Sequence, residues 1–198
     1  MLEVLTGTGL AVAAGLNAYI PLLLLGLAGR FLDVVTLPAG WTWLENEWVL
    51  GGLAVLLVIE VVADKVPAVD SINDWLQTII RPAAGGIVFG SGSGAQTVAV
   101  SDPSEFVASQ QWVPIAAGVV IALIVHLGKM AARPAANALT AGAAAPVLST
   151  AEDVGAVGLS ILALVVPVLV VVALLALVVA VPLLLVRARR RRLSVDQL

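Results

Sequence analysis

The side chains able to pair charges or move protons gather in two stretches. "IEVVADKVPAVDSINDWLQTIIRP", residues 59–82, carries Glu60, Asp64, Lys65, Asp70, Asp74 and Arg81. "VHLGKMAARPAAN", residues 125–137, carries His126, Lys129, Arg133 and Asn137. Asp70, Asp74, Gln77 and Arg81 follow one another by four, three and four residues. His126, Lys129, Arg133 and Asn137 follow by three, four and four, so each set makes one stripe of a helix. The first stretch is mainly acidic and the second basic. A lone ionised group at mid-bilayer costs several kcal/mol, so such groups persist by pairing, by reaching headgroups or by facing water inside the protein. The expectation is that the stretches meet across a helix bundle, with Glu60 or Asp64 neutralising Lys129 or Arg133. Carboxylates and a shifted imidazole could then bind or relay protons, and Lys129 and Arg133 could attract an anionic group.

Other chemistries find less support. Asp64 and Lys65 can mark a membrane boundary, and a buried ion pair can hold helices in register without any transport. His126 has no second ligand at metal spacing, and the chain has no cysteine, so no metal and no cofactor is implied. Neither H-E-x-x-H nor Gly-x-Ser-x-Gly occurs, and "GSGSG" at 90–94 lacks the Lys-Ser/Thr of a phosphate loop. A catalytic residue set is therefore not assigned.

Positioning these groups requires membrane helices. The chain is 61% hydrophobic and 12% charged, with a mean hydropathy of +1.08. That leaves too little polar surface for a soluble domain, whereas about 20 apolar residues cross the ~30 Å hydrocarbon layer. The fold class is all-α, a polytopic bundle of five to six membrane segments. The first segment, residues 4–31, contains Gly15, Asn17 and Pro21, which predict a broken helix of the kind that forms transporter sites. Trp41, Trp43 and Trp48 suit a headgroup level. Residues 49–65 form the next crossing, then an amphipathic helix opens near Val69. The glycine-rich stretch 81–100 reads as a protein-surrounded crossing or a re-entrant piece.

"SDPSEF" looks like a helix start with Asp102, Pro103 and Glu105. Residues 112–132 form a clear membrane helix, and 133–147 a small-residue connection. Ser149 with Glu152, and Thr150 with Asp153, fit capping-box spacing, so Ser149, Glu152 and Asp153 serve as cap or site. Residues 151–186 are apolar except for interruptions at Pro167 and Pro182, and make either one kinked helix or two crossings. The arginines at 187 and 189–192 form a basic end expected to stay cytoplasmic. "VPAVDSI" at 66–72 lies over "RPAANAL" at 133–139, suggesting related halves, 1–100 and 101–188, in one transmembrane domain before a tail at 189–198.

"GLNAYIPLL", "ADKVPAVDSINDWLQTIIRPAAG", "HLGKMAARPAAN" and "STAED" together, in this order, resemble the bacterial membrane family described as domain of unknown function 4126. The resemblance implies a polytopic membrane protein and brings no substrate, reaction or cofactor. Its recurrent polar pattern falls on Asp64, Lys65, Pro67, Arg81, Pro82, His126, Lys129, Arg133, Asn137, Ser149, Glu152 and Asp153. The glycine-rich 85–94 region and the basic tail depart from it. The leading expectation is a multi-pass inner-membrane transporter or channel-like protein, C-terminus cytoplasmic, acting on a small anionic solute or protons. A scaffold held by ion pairs, or an enzyme acting on lipid headgroups, are the alternatives. The lipid bilayer is the expected partner, with a homo-oligomer allowed and no nucleic acid.

Overall fold

The computed structural model describes residues 1–32, 35–94, 108, 110–140 and 143–176, with backbone alone at 67, 68, 70, 71, 135–139 and 144. The helix start at Asp102–Glu105, Pro182 and the basic end at 187–192 lie outside the described residues, as do the side chains of Asp70 and Asn137.

The protein is all-α. The elements are α1 (Leu2–Leu16), α2 (Tyr19–Phe31), a 3-10 turn (Ala39–Glu45), α3 (Glu47–Ala63), α4 (Pro67–Gly92), α5 (Trp112–Thr140), α6 (Ala144–Val165) and α7 (Pro167–Ala176). α5 over Trp112–Pro134 and α6 over Ala145–Val165 are long and apolar enough to cross a membrane. The 3-10 turn and α3, bent by 62°, would make a third such span.

The first apolar segment is a hairpin. Asn17 is extended, at φ −146° and ψ 122°, and ends α1. α2 then runs back, so that Leu25 lines the same cavity as Glu3 and Thr6. Pro21 does not make the break. It sits in the first turn of α2, where its missing N–H would have had no helical partner. α1 is the central helix, with Gly7 and every residue from Gly9 to Gly15 buried. Gly92 of α4 lies beside Thr6 and Leu10, while Gly155 of α6 faces Leu16 and Gly9 faces Ala163, so α4 and α6 run antiparallel to α1. Gly85 meets Gly118 and Ala122 of α5, and Gly90 meets Ile115, making α4 and α5 antiparallel as well. Small side chains let these backbones approach closely, which is how helices associate in lipid.

The peripheral helices are inverted relative to water-soluble ones. On α3 the buried residues are Leu50 and Glu60, while Val55, Val58, Ile59 and Val62 are exposed. On the first half of α4, Val69, Ile72, Trp75, Leu76 and Ile79 point outward and Asp74, Gln77 and Arg81 point inward. An apolar outside around a polar inside minimises free energy in acyl chains, not in water. The chain is a membrane protein.

Two local expectations are corrected. Residues 133–147 are not a connection: α5 continues through Pro134 to Thr140. Ser149, Glu152 and Asp153 are not caps, because α6 begins at Ala144 and places them in its interior. Interior N–H groups already have partners, so Thr150 Oγ1 instead donates backward to the Pro146 carbonyl at 2.7 Å. Farther on, α6 stops at Val166, the residue before Pro167, where the proline ring disfavours helical geometry.

Candidate functional site

Four helices deliver charge to one buried place. α3 brings Glu60 in its last turn and Asp64 at its C-cap, α4 brings Asp74 and Arg81, α5 brings His126, Lys129 and Arg133, and α6 brings Glu152. The α1–α2 hairpin places its tip against this group.

Asp64 is the centre. Its Oδ2 accepts from Lys129 Nζ at 3.1 Å, Arg133 Nη2 at 3.3 Å and Arg81 Nη2 at 3.5 Å, and its Oδ1 accepts from Asn73 Nδ2 at 2.7 Å. Arg81, fully buried, also donates from Nη2 to Glu60 Oε1 at 2.8 Å. Its Nη1 reaches the Gly15 carbonyl at 3.5 Å, so a cation meets the negative end of α1. Lys129 pairs with Glu152 Oε2 at 3.0 Å and stands 3.8 Å from Asp74 Oδ1, within ion-pair range but too far for a hydrogen bond. Arg133 grips Glu152 with Nε and Nη2, a two-point contact that fixes the guanidinium plane.

His126 is fully buried between one acceptor and one donor. Thr78 Oγ1 lies 2.9 Å from the Asp74 carbonyl and 3.0 Å from His126 Nε2, and with its proton on that carbonyl it accepts from the ring. His126 Nδ1 lies 3.4 Å from Arg81 Nη1, which can only donate. The assignment that satisfies every group is a neutral imidazole with its proton on Nε2.

The hairpin tip is tied in by Asn17. Its Oδ1 accepts from the backbone N–H of Tyr19 and Ile20, at 3.0 and 3.2 Å, closing the start of α2. Its Nδ2 donates to Asp153 Oδ1 at 2.9 Å, and Asp153 in turn lies 3.7 Å from Lys65 Nζ at the more exposed edge.

Sequence reasoning thus located Glu60, Asp64, Asp74, Arg81, His126, Lys129 and Arg133 in one buried cluster, with Lys65 at its margin. Glu152 and Asp153 join it as ion-pair and hydrogen-bond partners. Glu60 takes its cation from Arg81 of the same half of the chain, while Asp64 takes Lys129 and Arg133 from the other half. Ser149 is buried with its hydroxyl unpartnered. Asn73 and Thr78 were missed; each adjoins a member of the polar stripe of α4, and only the inward rotation of that helix reveals them.

In and around this cluster several buried polar atoms make no hydrogen bond: Glu60 Oε2, Asp74 Oδ1, Gln77 Oε1, Ser149 Oγ and the donor Arg81 Nε. Unmade hydrogen bonds cost about 1–3 kcal/mol each in a buried setting, and native interiors hold few. Among the described side chains, the four carboxylates of Glu60, Asp64, Asp74 and Glu152 face the three cations Arg81, Lys129 and Arg133, one negative charge in excess. Chemically, the group can hold a proton or donate to and accept from a small polar molecule.

No curated protein and no solved structure matches the chain. A family model matches residues 4–187, nearly the whole length and all of the helices that build the buried charge cluster. The chain therefore belongs to the family described as Domain of unknown function (DUF4126).

Proposed function

We propose that this membrane protein moves a small solute in company with protons, using the charge cluster at the hairpin tip. The carrying observation is the set of buried, unpartnered polar atoms on Glu60, Asp74, Gln77, Ser149 and Arg81. A network built only to hold helices together gains nothing from leaving donors and acceptors unmatched at its centre. One carboxylate beyond the number of cations supplies a place for a proton, and every cation already has at least two carboxylates in ion-pair range. That balance favours proton exchange over capture of an anionic solute. Glu60 and Asp74 carry the exchangeable proton, since each leaves an oxygen free. Arg81, Lys129 and Arg133 hold the carboxylates in place. A short helical hairpin with its tip at a polar centre matches the broken helices of solute carriers. The same reading places the protein in a bacterial inner membrane as a multi-pass protein. The C-terminus faces the cytoplasm, in keeping with the arginines at 187 and 189–192.

The test is proton movement into proteoliposomes holding a trapped pH dye, with gradients of small neutral, zwitterionic and anionic solutes imposed in turn. The expected result is alkalinisation or acidification driven by at least one solute in wild type, and lost in Glu60→Gln/Asp74→Asn. Proton movement equal to that of empty liposomes with every solute, or unchanged in the double variant, would remove the proposal.

The dense pairing around Asp64 favours one other reading, a scaffold whose charges set helix register. It expects the double variant to behave as wild type in all respects but stability.

A further inference from the structure

At the end of the molecule away from the charge cluster, two cavities share a wall. One, of about 400 Å³, is a groove between α2 and α6 lined wholly by apolar residues, among them Leu24, Phe31, Ile161 and Val165. The other, of about 250 Å³, is lined by Glu3 and Thr6 of α1, Ser91 and Gly92 of α4, and Thr36. Val35 and Leu164 line both, so the two spaces adjoin across these side chains. Their combined shape is apolar at one end and polar at the other.

The polar cavity has a definite hydrogen-bonding sign. Ser91 Oγ spends its proton on the Ile87 carbonyl at 2.7 Å, and Thr6 Oγ1 spends its proton on the Leu2 carbonyl at 3.2 Å. Both hydroxyls therefore offer lone pairs to whatever enters. Glu3 is the one charged residue among the described lining. Its carboxyl group lies over Gly94, where a φ of +67° calls for glycine. The cavity presents acceptors and a negative charge, with no cation among its described lining residues. A phosphate there would be repelled; an ammonium donating three hydrogen bonds is matched. The groove opens to the outside through Phe31, Ile161 and Val165, each at least 48% exposed, on a surface that faces acyl chains. Trp48 and Trp43 lie exposed beside the same hairpin end, at residues suited to the headgroup level.

We propose that these adjoining cavities bind one phospholipid whose headgroup ends in a primary ammonium. One acyl chain lies in the α2–α6 groove and the ammonium reaches Glu3, Thr6 and Ser91. The groove volume is within the range of small-molecule sites, and the apolar wall with a few convergent polar groups is their usual construction. This inference stands apart from the proton site: it uses no residue of the charge cluster and survives if that site proves structural.

Native mass spectrometry of the full chain released from delipidated micelles tests it, with phosphatidylethanolamine, phosphatidylcholine and phosphatidylglycerol of equal chain length as probes. The ethanolamine lipid is expected to be retained about tenfold more tightly than the other two, the worth of one well-placed charged contact. Glu3→Gln should bring it down to the level of phosphatidylcholine. Ile161→Trp, which fills the groove from a half-exposed position, should weaken all three lipids together. Equal retention of the three lipids by wild type, or an ethanolamine preference that survives Glu3→Gln, would overturn the headgroup assignment. Retention unchanged by Ile161→Trp would overturn the groove.

Discussion

The two halves of α4 pack against the same partner by opposite means. From Asp74 to Arg81 the helix faces α5 through charges and hydrogen bonds, with Thr78 on His126 and Arg81 beside it. From Gly85 to Gly90 it faces α5 through nearly bare backbone, Gly85 on Gly118 and Gly86 on Ile115 and Val119. Lipid explains why one helix uses both. Apolar side chains gain little by leaving acyl chains for one another, so association relies on close van der Waals approach or on polar groups that lipid cannot satisfy. The glycine half has room for nothing else. The charged half keeps unpartnered atoms in its middle and so has capacity to bind, which is the physical distinction between a seam and a site.

Substitutions at the two halves separate these roles. The largest loss is expected at the seam: in Gly118→Val the new Cβ would run into the Gly85 carbonyl oxygen and lie 2.5 Å from Phe89 Cβ. Neither atom can swing away, so α4 and α5 must part and the bundle is expected not to hold. Thermal unfolding in detergent, followed by size-exclusion, should show loss of the folded peak. Next is Arg81→Ala, which leaves the buried Glu60 without its cation and costs about 3–5 kcal/mol by the same assay. Arg81→Lys should recover little, because one ammonium cannot reach Glu60, Asp64, His126 and the Gly15 carbonyl together. Arg81→Leu/Glu60→Leu should recover much of the loss, since it removes both charges. Asn17→Ala comes third, at about 1–2 kcal/mol, through loss of the α2 cap and the tie to Asp153. Thr78→Val is smallest, about 1 kcal/mol, from one hydrogen bond to His126.

The same contrast explains what could be read from residues alone. The charged stripe of α4 was legible because its spacing forces Asp74, Gln77 and Arg81 onto one face whatever the tertiary fold. The meeting of acidic and basic stretches was legible because isolated charges in lipid have few alternatives. The hairpin was half legible: Asn17 marks the break, but Pro21 suggested a kink at a position that turned out to be a helix start. Ser149, Glu152 and Asp153 match a cap motif by spacing, yet the helix already starts at Ala144, with Pro146 tolerated in its first turn, and the cap spacing outweighed that earlier start signal. The glycine seam was visible as composition only. Which helix meets Gly85 and Gly118 depends on antiparallel pairing, a property of the whole bundle.

The account rests on Asp64 joining the two halves of the chain inside the bundle. A double-mutant cycle of thermal stability between Asp64→Asn and Lys129→Gln measures that directly, as the two groups lie 3.1 Å apart with side chains 3% and 2% exposed. Each single change should destabilise strongly, and the double variant should lose far less than the two losses together, a coupling of about 2 kcal/mol or more. Losses that simply add would contradict a buried contact between these groups.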